Sequence, residues 1–379
     1  MNTATRTFEQ FRLSHPMRAA LRAAGYHAPT PIQAGTIAAA LAGRDVIGAA
    51  QTGTGKTAAF LVPAIERLRA MRQHDNRGAA LILAPTRELA EQIHSWTQRL
   101  GADLRAALVV GGVAYGPQLA ALRGRPAVVI ATPGRLVDHI ERGAVPLRDV
   151  RILVLDEADR MLDMGFKPQL DRIMGGLPAP RQTLLFSATM AADIGTLARL
   201  HLHDPVRVAV GRQAVPPTRT VQDVYLVEQQ SKMPLLLSLI ARNRGNVLVF
   251  TRTKHRTDRV ARTVRQAGHA VQRIHADRSQ SQRREALEGF RSGRYRILIA
   301  TDIAARGIDV AGIGRVINYD LPHTVEDYVH RVGRTARAEA HGHATSFATP
   351  EERGQLHAIE RHLGSALPRQ SHDVSRLAS

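Results

Sequence analysis

The stretch Asp45-Val46-Ile47-Gly48-Ala49-Ala50-Gln51-Thr52-Gly53-Thr54-Gly55-Lys56-Thr57 predicts the fold of the domain that contains it. A short apolar run leads into a glycine-bearing turn, and a helix-like stretch follows from Ala58 to Met71. A strand, a glycine-rich loop, a lysine and a helix in this order are typical of a phosphate-binding loop. In such a loop backbone N–H groups surround the phosphates, the lysine reaches their outer oxygens, and a threonine hydroxyl binds Mg²⁺.

Six residues are therefore candidate nucleotide-binding residues: Thr52, Gly53, Thr54, Gly55, Lys56 and Thr57. The general pattern has glycine at the first position of the loop, where this chain has Ala50.

The composition is that of a globular protein of more than one domain. A chain of 379 residues suits two domains, and 44% hydrophobic with 22% charged residues allows ordinary cores. No apolar run approaches the ~18 residues of a membrane span, and the N-terminus lacks a basic-then-apolar signal peptide. The absence of cysteine excludes disulfides and thiolate metal sites. We therefore expect a cytoplasmic protein without a membrane segment.

The charge predicts a polyanionic partner. Lys+Arg number 52 against 33 Asp+Glu, which gives a net charge of +19, and four of the basic residues are lysines. Arginine forks suit phosphate oxygens better than ammonium groups do, so nucleic acid is the simplest partner. An arginine-rich genome bias with a solvated basic surface is the alternative.

Apolar runs alternate with helix-like stretches, which predicts parallel sheets covered by helices in two domains of the same class. The runs are Ala80–Ala84, Leu108–Val110, Val128–Ala131, Ile152–Leu155 and Thr183–Phe186, then Val247–Phe250, Ala270–Ile274, Ile297–Ala300, Val316–Asn318 and Ala344–Phe347. The alternation of strand-like and helix-like stretches is interrupted by a proline-containing segment. This interruption predicts domains at 1–210 and 223–379 with a linker at 211–222. Polar residues after each run would lie at the carboxyl edge of a sheet, where such sheets bind ligands.

Asp156-Glu157-Ala158-Asp159 follows an apolar run and provides two candidate catalytic carboxylates. Asp156 would hold Mg²⁺, usually through water, opposite the phosphate loop, and Glu157 would polarise an attacking water. Ser187-Ala188-Thr189 places two hydroxyls beside the same edge, although a helix cap explains them equally well.

Two further segments, Pro85-Thr86-Arg87-Glu88 and Thr132-Pro133-Gly134-Arg135, also follow predicted strands. Each combines a hydroxyl, an arginine and a restricted backbone, which suits a sugar–phosphate contact. The alternative for each is a turn followed by a helix cap.

In the second domain, residues 330–337 contain three arginines. Arg334 and Arg337 are three residues apart and share a face if that segment is helical. A γ-phosphate bound by the first domain would compensate their charge, as in arginine fingers, which contribute ~10³–10⁵ in rate. The alternative is a basic helix face.

With these motifs in place, the chain resembles the DEAD-box ATP-dependent RNA helicases over nearly its whole length. Residues 156–159 spell that family's name motif, and Ala50–Thr57 matches its phosphate loop, which accepts alanine first. Phe8 lies 17 residues before Gly25, as in the family's adenine-recognition motif, which ends at Gln33. The remaining motifs match at Pro85–Ala90, Gly111-Gly112, Thr132–Arg135, Ser187–Thr189, Val249–Lys254, Gln280 with Arg283, Thr301–Asp309 and His330–Arg337. The sequences of Asp159–Phe166 and Thr251–Lys254 are similar to those of the bacterial RhlE-type subgroup.

The resemblance implies two tandem RecA-like domains, ATP and Mg²⁺ as cofactors, and a role for each motif. Gln33 would read the adenine edge with Phe8 stacked on it, and Asp309 would meet the ribose. Lys56, Asp156, Glu157, Arg334 and Arg337 would be catalytic, with Thr57 and Asp156 at the metal. The RNA backbone would be lined by Arg87, Gly112, Thr132, Arg135, Arg252 and Thr301. Four residues would couple the domains: Ser187, Thr189, Asp159 and His330. The chain departs from the family pattern at Ala336 and Ala276, where glycine is usual.

We therefore expect a monomeric RNA helicase in which ATP and RNA close the two domains, one strand is bent, and hydrolysis reopens them. The alternatives are an ATP-gated RNA clamp or annealing protein, a DNA translocase, and a small-molecule kinase. Glu157 favours turnover over a pure clamp.

Overall fold

The computed structural model describes residues 7–50, 53–75, 78–145, 147–190, 192–210, 220–243, 245–305, 313–335 and 342–371. The chain divides into two compact units, Met1–Arg212 and Gln213–Ser379. No helix in the described ranges has the length and apolarity needed to cross a membrane.

The first unit is built on a seven-stranded sheet in which all neighbouring strands are parallel. Its strands are β1 (Val46–Ala49), β2 (Ala79–Leu83), β3 (Ala106–Val109), β4 (Val128–Ala131), β5 (Val150–Leu155), β6 (Gln182–Ser187) and β7 (Val206–Ala209). The spatial order is β3-β4-β2-β5-β6-β1-β7.

Nine helices belong to the described part of this unit, together with short 3₁₀ turns at Phe8–Gln10 and Leu147–Asp149. They are α1 (His15–Ala23), α2 (Pro31–Leu41), α3 (Lys56–Asp75), α4 (Arg87–Leu100), α5 (Tyr115–Arg123), α6 (Pro133–Glu141), α7 (Ala158–Asp163), α8 (Lys167–Gly175) and α9 (Ala192–His201).

The second unit repeats the same topology. Its strands are β8 (Thr220–Leu226), β9 (Asn246–Phe250), β10 (Val271–Ile274), β11 (Ile297–Ala300), β12 (Ile313–Asn318), β13 (Gly342–Ala348) and β14 (Arg369–Gln370). Their order, β10-β11-β9-β12-β13-β8-β14, is the first order with seven added to every strand number. Strands at equivalent positions can therefore be compared directly between the two units.

Six helices are described in the second unit, with 3₁₀ turns at Gln229–Ser231 and Pro350–Glu352. They are α10 (Lys232–Arg242), α11 (Lys254–Gln266), α12 (Gln280–Arg291), α13 (Asp302–Ala305), α14 (Val325–Val332) and α15 (Arg353–Leu363).

The central strands are apolar on both faces because helices cover both faces of each sheet. In β5, Ile152, Leu153, Val154 and Leu155 are all fully buried. Ile152 and Val154 pack in one hydrophobic cluster, while Leu153 and Leu155 pack in another. Continuous apolar strands of this kind are typical of parallel sheets, in contrast to the alternation seen in half-exposed ones.

The ten strands predicted from apolar runs are present, but three strands were missed. β7, β8 and β14 carry alternating or mostly polar residues, so no continuous apolar run marks them. β8 begins at Thr220, so the last three residues of the expected linker, 220–222, belong to the second sheet. The rest of the expected linker, from 211 to 219, lies outside the described residues.

Asp45, just before β1, joins three segments of the first unit. Its Oδ1 accepts a hydrogen bond from the Thr183 N–H (2.7 Å), and its Oδ2 accepts one from the His203 N–H (2.7 Å). Its carbonyl accepts from the Val206 N–H (2.8 Å), which starts β7. The buried carboxylate therefore holds the amino end of β6 and the segment before β7, and the backbone carbonyl holds the start of β7.

We predict that Asp45→Ala lowers the free energy of unfolding of the first unit by about 2–4 kcal/mol, because two N–H groups lose a charged acceptor. Urea unfolding followed by fluorescence of Trp96, the single tryptophan, reports on this unit. The control is Asp171→Ala, which removes an exposed carboxylate bound to Lys167 (2.7 Å) and should change stability by less than about 1 kcal/mol. Equal effects of the two substitutions would contradict the anchoring role.

Candidate nucleotide site and nucleic-acid interface

Because all strands are parallel, the loops after them meet at one edge of each sheet. The phosphate loop follows β1, the Ser187–Thr189 segment ends β6, and residues 156–159 follow β5. These three strands are neighbours in the order β5-β6-β1. The other half of the sheet, β3-β4-β2, carries Gly112, Thr132 and Arg87. The sheet order thus separates the phosphate loop and the carboxylate motif from the predicted RNA residues of this unit.

The phosphate loop has the backbone that its glycines allow. Gly53 and Gly55 have φ of +88° and +90°, values that favour glycine. Lys56 is the first residue of α3 and is 7% exposed, and its Nζ is buried without a hydrogen-bond partner among the described residues. A buried ammonium without an acceptor is costly, so this position fits a phosphate. Thr52 lies outside the described residues.

Gln33 connects the adenine-recognition motif to the phosphate loop. Its Oε1 accepts from the Thr30 N–H (2.9 Å), closing the capping box of α2, and its Nε2 donates to the Gly55 carbonyl (3.0 Å). A Cβ at position 55 would overlap the Gln33 amide. Gln33 is therefore a structural part of the loop, and its role toward adenine stays a prediction.

Phe8 lies in the core of the first unit. It is 6% exposed and packs edge-on against Tyr26, with ring centroids 6.2 Å apart, and against Phe11 at the same distance. In this position Phe8 holds the N-terminal segment onto the unit. Its predicted stacking on adenine is not tested by this arrangement.

Asp156 is buried beside Lys56 at the end of β5. Burial raises the pKa of Asp156 to about 7, the Lys56 ammonium acts against this rise, and the Glu157 and Asp159 carboxylates add to it. Its Oδ1 accepts from the Glu157 N–H (3.0 Å). A carboxylate this desolvated is stabilised in its charged form by a cation, which suits the predicted metal role.

Glu157 occupies a left-handed backbone conformation, with φ +51° and ψ +52°, at the start of α7. This conformation costs a non-glycine residue about 1–2 kcal/mol. The Glu157 Oε2 accepts from the Arg160 Nη1 (2.9 Å) in a largely buried ion pair. The strained turn and the arginine together fix the direction of the predicted base.

Asp159 links the carboxylate motif to the segment after β6. Its Oδ2 accepts hydrogen bonds from the Ala188 N–H (3.0 Å), the Thr189 N–H (2.9 Å) and the Thr189 hydroxyl (3.2 Å). The Thr189 N–H also donates to the Ser187 Oγ (3.3 Å). The helix-cap alternative for these hydroxyls is not supported, since α9 begins at Ala192. The structure brings together three of the four predicted coupling residues.

Arg87 lies against the backbone of the loop after β3. Gly112 has φ +71°, and a Cβ there would overlap the Arg87 guanidinium. Thr86 caps α4 by accepting from the Leu89 N–H (3.3 Å), so the cap predicted as an alternative is present together with the arginine. Gly112 is therefore required for the position of Arg87.

Thr132 and Arg135 start the helix after β4. Thr132 is the N-cap residue of α6 and is 8% exposed. The Arg135 Nη1 donates to the Val113 carbonyl (3.0 Å), which joins this helix to the loop of Gly112. Three predicted RNA segments thus form one connected surface in the first unit.

The second unit places its two predicted RNA residues after the equivalent strands, β9 and β11. Thr301 follows β11 just as Thr132 follows β4. Arg252 follows β9, and its Nη2 donates to Glu352 (2.6 Å) and to the Leu321 carbonyl (3.4 Å). Arg252 is 31% exposed at the side chain, so a phosphate contact there would compete with the Glu352 carboxylate.

The arginines of residues 330–337 have different environments. Arg331 is 2% exposed and forms a two-pronged ion pair with Asp302, at 2.5 and 2.7 Å. Its Nη1 also donates to the Asp320 carbonyl (2.7 Å). The Arg334 Nε donates to the His330 carbonyl (3.1 Å) at the end of α14. Arg337, Ala336 and Asp309 lie outside the described residues.

Sequence reasoning missed three partners that position these motifs: Arg160, Asp302 and Gln118, whose Nε2 donates to the Val113 carbonyl (3.3 Å) next to Gly112. Arg160 could have been suspected from its spacing, since it lies three residues after Glu157. The pairing of Arg331 with Asp302, 29 residues apart, had no local signal.

Both units match known protein families. Residues 30–197 match the family described as DEAD/DEAH box helicase, and residues 231–339 match the helicase conserved C-terminal domain. The DEAD-box ATP-dependent RNA helicase CshA of Geobacillus kaustophilus is 44% identical over 361 residues, covering 94% of this chain and 76% of the relative. The chain belongs to the DEAD-box family of ATP-dependent RNA helicases.

Other DEAD-box relatives cover different shares of their own length. The ATP-dependent RNA helicase RhlB of Xanthomonas axonopodis pv. citri is 44% identical over 96% of this chain and 65% of the relative. The DEAD-box ATP-dependent RNA helicase 28 of Oryza sativa is 42% identical over 95% of this chain, which spans 46% of that relative. The RhlE-type subgroup stays a prediction.

Solved DEAD-box structures share the fold of both units. The S. cerevisiae Dbp5 structure bound to RNA and ADP BeF3 has a TM-score of 0.87 at 29% identity, covering 96% of this chain and 95% of that chain. The Mss116p structure bound to ssRNA and AMP-PNP has a TM-score of 0.89 at 27% identity, covering 100% and 82%. The expected tandem RecA-like domains are confirmed.

We predict that Asp156→Asn stabilises the ligand-free protein at pH 8. The folded-state pKa of about 7 lies above the unfolded value of 3.8, so the native protein binds the proton more tightly, and stability falls as the pH rises from about 4 through 7. Removing the charge should add about 1–4 kcal/mol to the free energy of unfolding at pH 8 and much less at pH 4.5.

Urea unfolding without nucleotide or Mg²⁺, followed by Trp96 fluorescence at both pH values, measures this gain. Asp171→Asn, at an exposed carboxylate, is the control and should show no such pH-dependent gain. A loss of stability at pH 8 in Asp156→Asn would show that the carboxylate is not penalised by burial.

Proposed function

We propose that this DEAD-box protein couples RNA-stimulated ATP hydrolysis to the closure of its two domains and to local unwinding of short RNA duplexes or remodelling of RNA–protein complexes. The observation that carries the proposal is the buried Lys56 ammonium, which has no hydrogen-bond partner among the described residues. It follows a glycine-rich loop and lies beside the buried Asp156 carboxylate. A nucleotide phosphate would supply the missing acceptor.

The residues present fit Mg²⁺ together with a nucleotide. Asp156 offers a buried carboxylate and Thr57 a hydroxyl, and Mg²⁺ is commonly held by one or two carboxylates plus substrate phosphates. When bound, the ion would neutralise charge on the phosphate oxygens. Glu157, held by Arg160, would orient a water and accept its proton.

The proposed RNA surface of the first unit consists of Arg87, Gly112, Thr132 and Arg135. Support comes from their connection: Arg87 lies on the Gly112 backbone, and Arg135 holds the Val113 carbonyl. Such groups contact sugar and phosphate and carry no base information, so we propose recognition of the RNA backbone. In the second unit, Arg252 and Thr301 would extend this surface.

Coupling would arise because Lys56 and Arg334 belong to different units. We propose that Arg334 and Arg337 reach the γ-phosphate held by Lys56 when both ligands are bound. Asp159, Ser187, Thr189 and His330 would link this closure to the RNA surface. Loss of the γ-phosphate on hydrolysis would remove the shared anion and reopen the domains. We further propose that the protein acts as a monomer in the cytoplasm.

We predict that ATP hydrolysis depends on RNA. ATPase activity should be low without nucleic acid, should rise at least tenfold with single-stranded RNA, and should rise much less with DNA of the same sequence. The reason is that the first unit, which contains Lys56, lacks the arginines of residues 330–337, which belong to the second unit. The measurement is steady-state ATPase under the three conditions, together with unwinding of a short labelled duplex.

Strong ATPase that RNA leaves unchanged would contradict the coupling. RNA-stimulated ATPase without any strand separation would favour the ATP-gated clamp or annealing protein. Equal stimulation by DNA would favour a translocase.

We predict that Glu157→Gln keeps ATP and RNA binding and loses turnover by ~10²–10⁴, because the positioned base is removed. Nucleotide binding is measured by fluorescence titration and turnover by phosphate release. Lys56→Met provides the contrast, since it should weaken nucleotide binding itself. A Glu157→Gln variant that hydrolyses ATP at the parent rate would exclude Glu157 as the base.

A further inference from the structure

The loop after β3 is bound by the buried side chain of Gln118 on α5. Gln118 is 4% exposed. Its Oε1 accepts from the Val110 N–H (3.1 Å), and its Nε2 donates to the carbonyls of Val110 (3.1 Å), Val113 (3.3 Å) and Ala114 (3.2 Å). One carboxamide thus binds both ends of a five-residue loop.

This loop determines where Arg87 lies. Between its bound ends are Gly111 and Gly112, and the Arg87 guanidinium rests on the Gly112 backbone so closely that no Cβ fits there. The Val113 carbonyl, which Gln118 binds, also accepts from Arg135. A movement of the loop would therefore shift two of the proposed RNA-binding arginines together.

We propose that Gln118 is a positioning residue for RNA binding, which fixes the loop of residues 110–114 so that Gly112, Arg87 and Arg135 form one preorganised phosphate-binding surface. The inference rests on the proposed RNA interface and adds to it a residue that itself faces away from RNA, into the protein.

The chemistry of the side chain explains why glutamine is needed. One N–H group and three carbonyl groups of the loop converge on the Gln118 side chain. A side chain in this place must therefore accept one hydrogen bond through an oxygen and donate hydrogen bonds from a nitrogen. A glutamate keeps the acceptor but places a carboxylate against three carbonyl oxygens. A methionine keeps the approximate volume and makes none of the bonds.

Without Gln118, the two glycines would leave the loop with many backbone conformations. The cost of ordering the loop and Arg87 would then be added to the free energy of RNA binding. The phosphate loop and the Asp156–Asp159 carboxylates would not change, because they follow β1 and β5 in the other half of the sheet.

The chain provides a matched control at Gln182. It is also 4% exposed, and its Nε2 donates to the carbonyls of Ala40 (2.8 Å) and Arg44 (2.7 Å). Gln182 begins β6 and so lies at the amino edge of the sheet, opposite the candidate site. Gln182→Met therefore removes a buried carboxamide of the same type without touching the loop.

The experiment compares full-length Gln118→Met, Gln118→Glu and Gln182→Met with the parent. The readouts are the concentration of a single-stranded RNA that gives half-maximal ATPase, kcat at saturating RNA, nucleotide affinity, and hydrogen exchange of the Gly111–Ala114 amides. For both Gln118 variants we expect the half-maximal RNA concentration to rise roughly three- to thirtyfold, with kcat and nucleotide affinity within about twofold and faster amide exchange. Gln182→Met should lower Tm but leave the RNA requirement within about twofold.

The positioning role is overturned if Gln118→Met keeps the parent RNA requirement, or if Gln182→Met raises that requirement as much. If both Gln118 variants fail to fold, Gln118→Asn, which keeps the carboxamide on a shorter side chain, carries the same comparison. A parent protein whose ATPase ignores RNA would instead refute the proposed function, so the two failures are distinguishable.

Discussion

The parallel arrangement of the strands is the constraint on which the candidate sites depend. Parallel strands require helical crossovers, and these return the chain so that every strand ends at the same edge. The order β5-β6-β1 then brings Asp156, Ser187 and the phosphate loop side by side, although they come from distant parts of the sequence. Their neighbours β3-β4-β2 place Gly112, Thr132 and Arg87 along the continuation of the same edge.

At this edge the first unit carries local costs that a ligand could relieve. Lys56 is buried without an acceptor among the described residues, burial raises the pKa of Asp156, and Glu157 has a left-handed backbone. Each feature is unfavourable in the ligand-free chain, and strain of this kind concentrates at functional sites. A phosphate and a cation would compensate the two charges at once.

The second unit has the same topology but a different chemistry at the equivalent edge. No glycine–lysine loop follows β8, which corresponds to β1. Two buried cations in the described part of this unit are paired: Arg331 binds Asp302, and Lys232, fully buried, binds Glu352 at 3.0 Å. Pairing compensates buried charge within the unit, whereas the first unit leaves Lys56 available for a ligand. The same topology thus carries a buried cation without a partner among the described residues in the first unit and two paired buried cations in the second.

The sequence by itself determined the features that are local along the chain. Continuous apolar runs such as Ile152–Leu155 marked most of the ten predicted strands, because a strand buried on both faces needs no polar residues. The glycine loop before Lys56 and the carboxylates after β5 were equally readable, since their chemistry depends on adjacent residues.

Only the tertiary structure decided the interactions between distant residues. The strands β7, β8 and β14 depend on pairing with neighbours rather than on their own apolarity, so no pattern marked them. From the sequence, Arg252 was predicted to contact RNA phosphate, but in the structure its guanidinium binds Glu352, which lies 100 residues later in the chain. Gln118 showed no signal at all, because a buried glutamine gains its role from the backbone groups around it, and these are brought together only when α5 packs against β3.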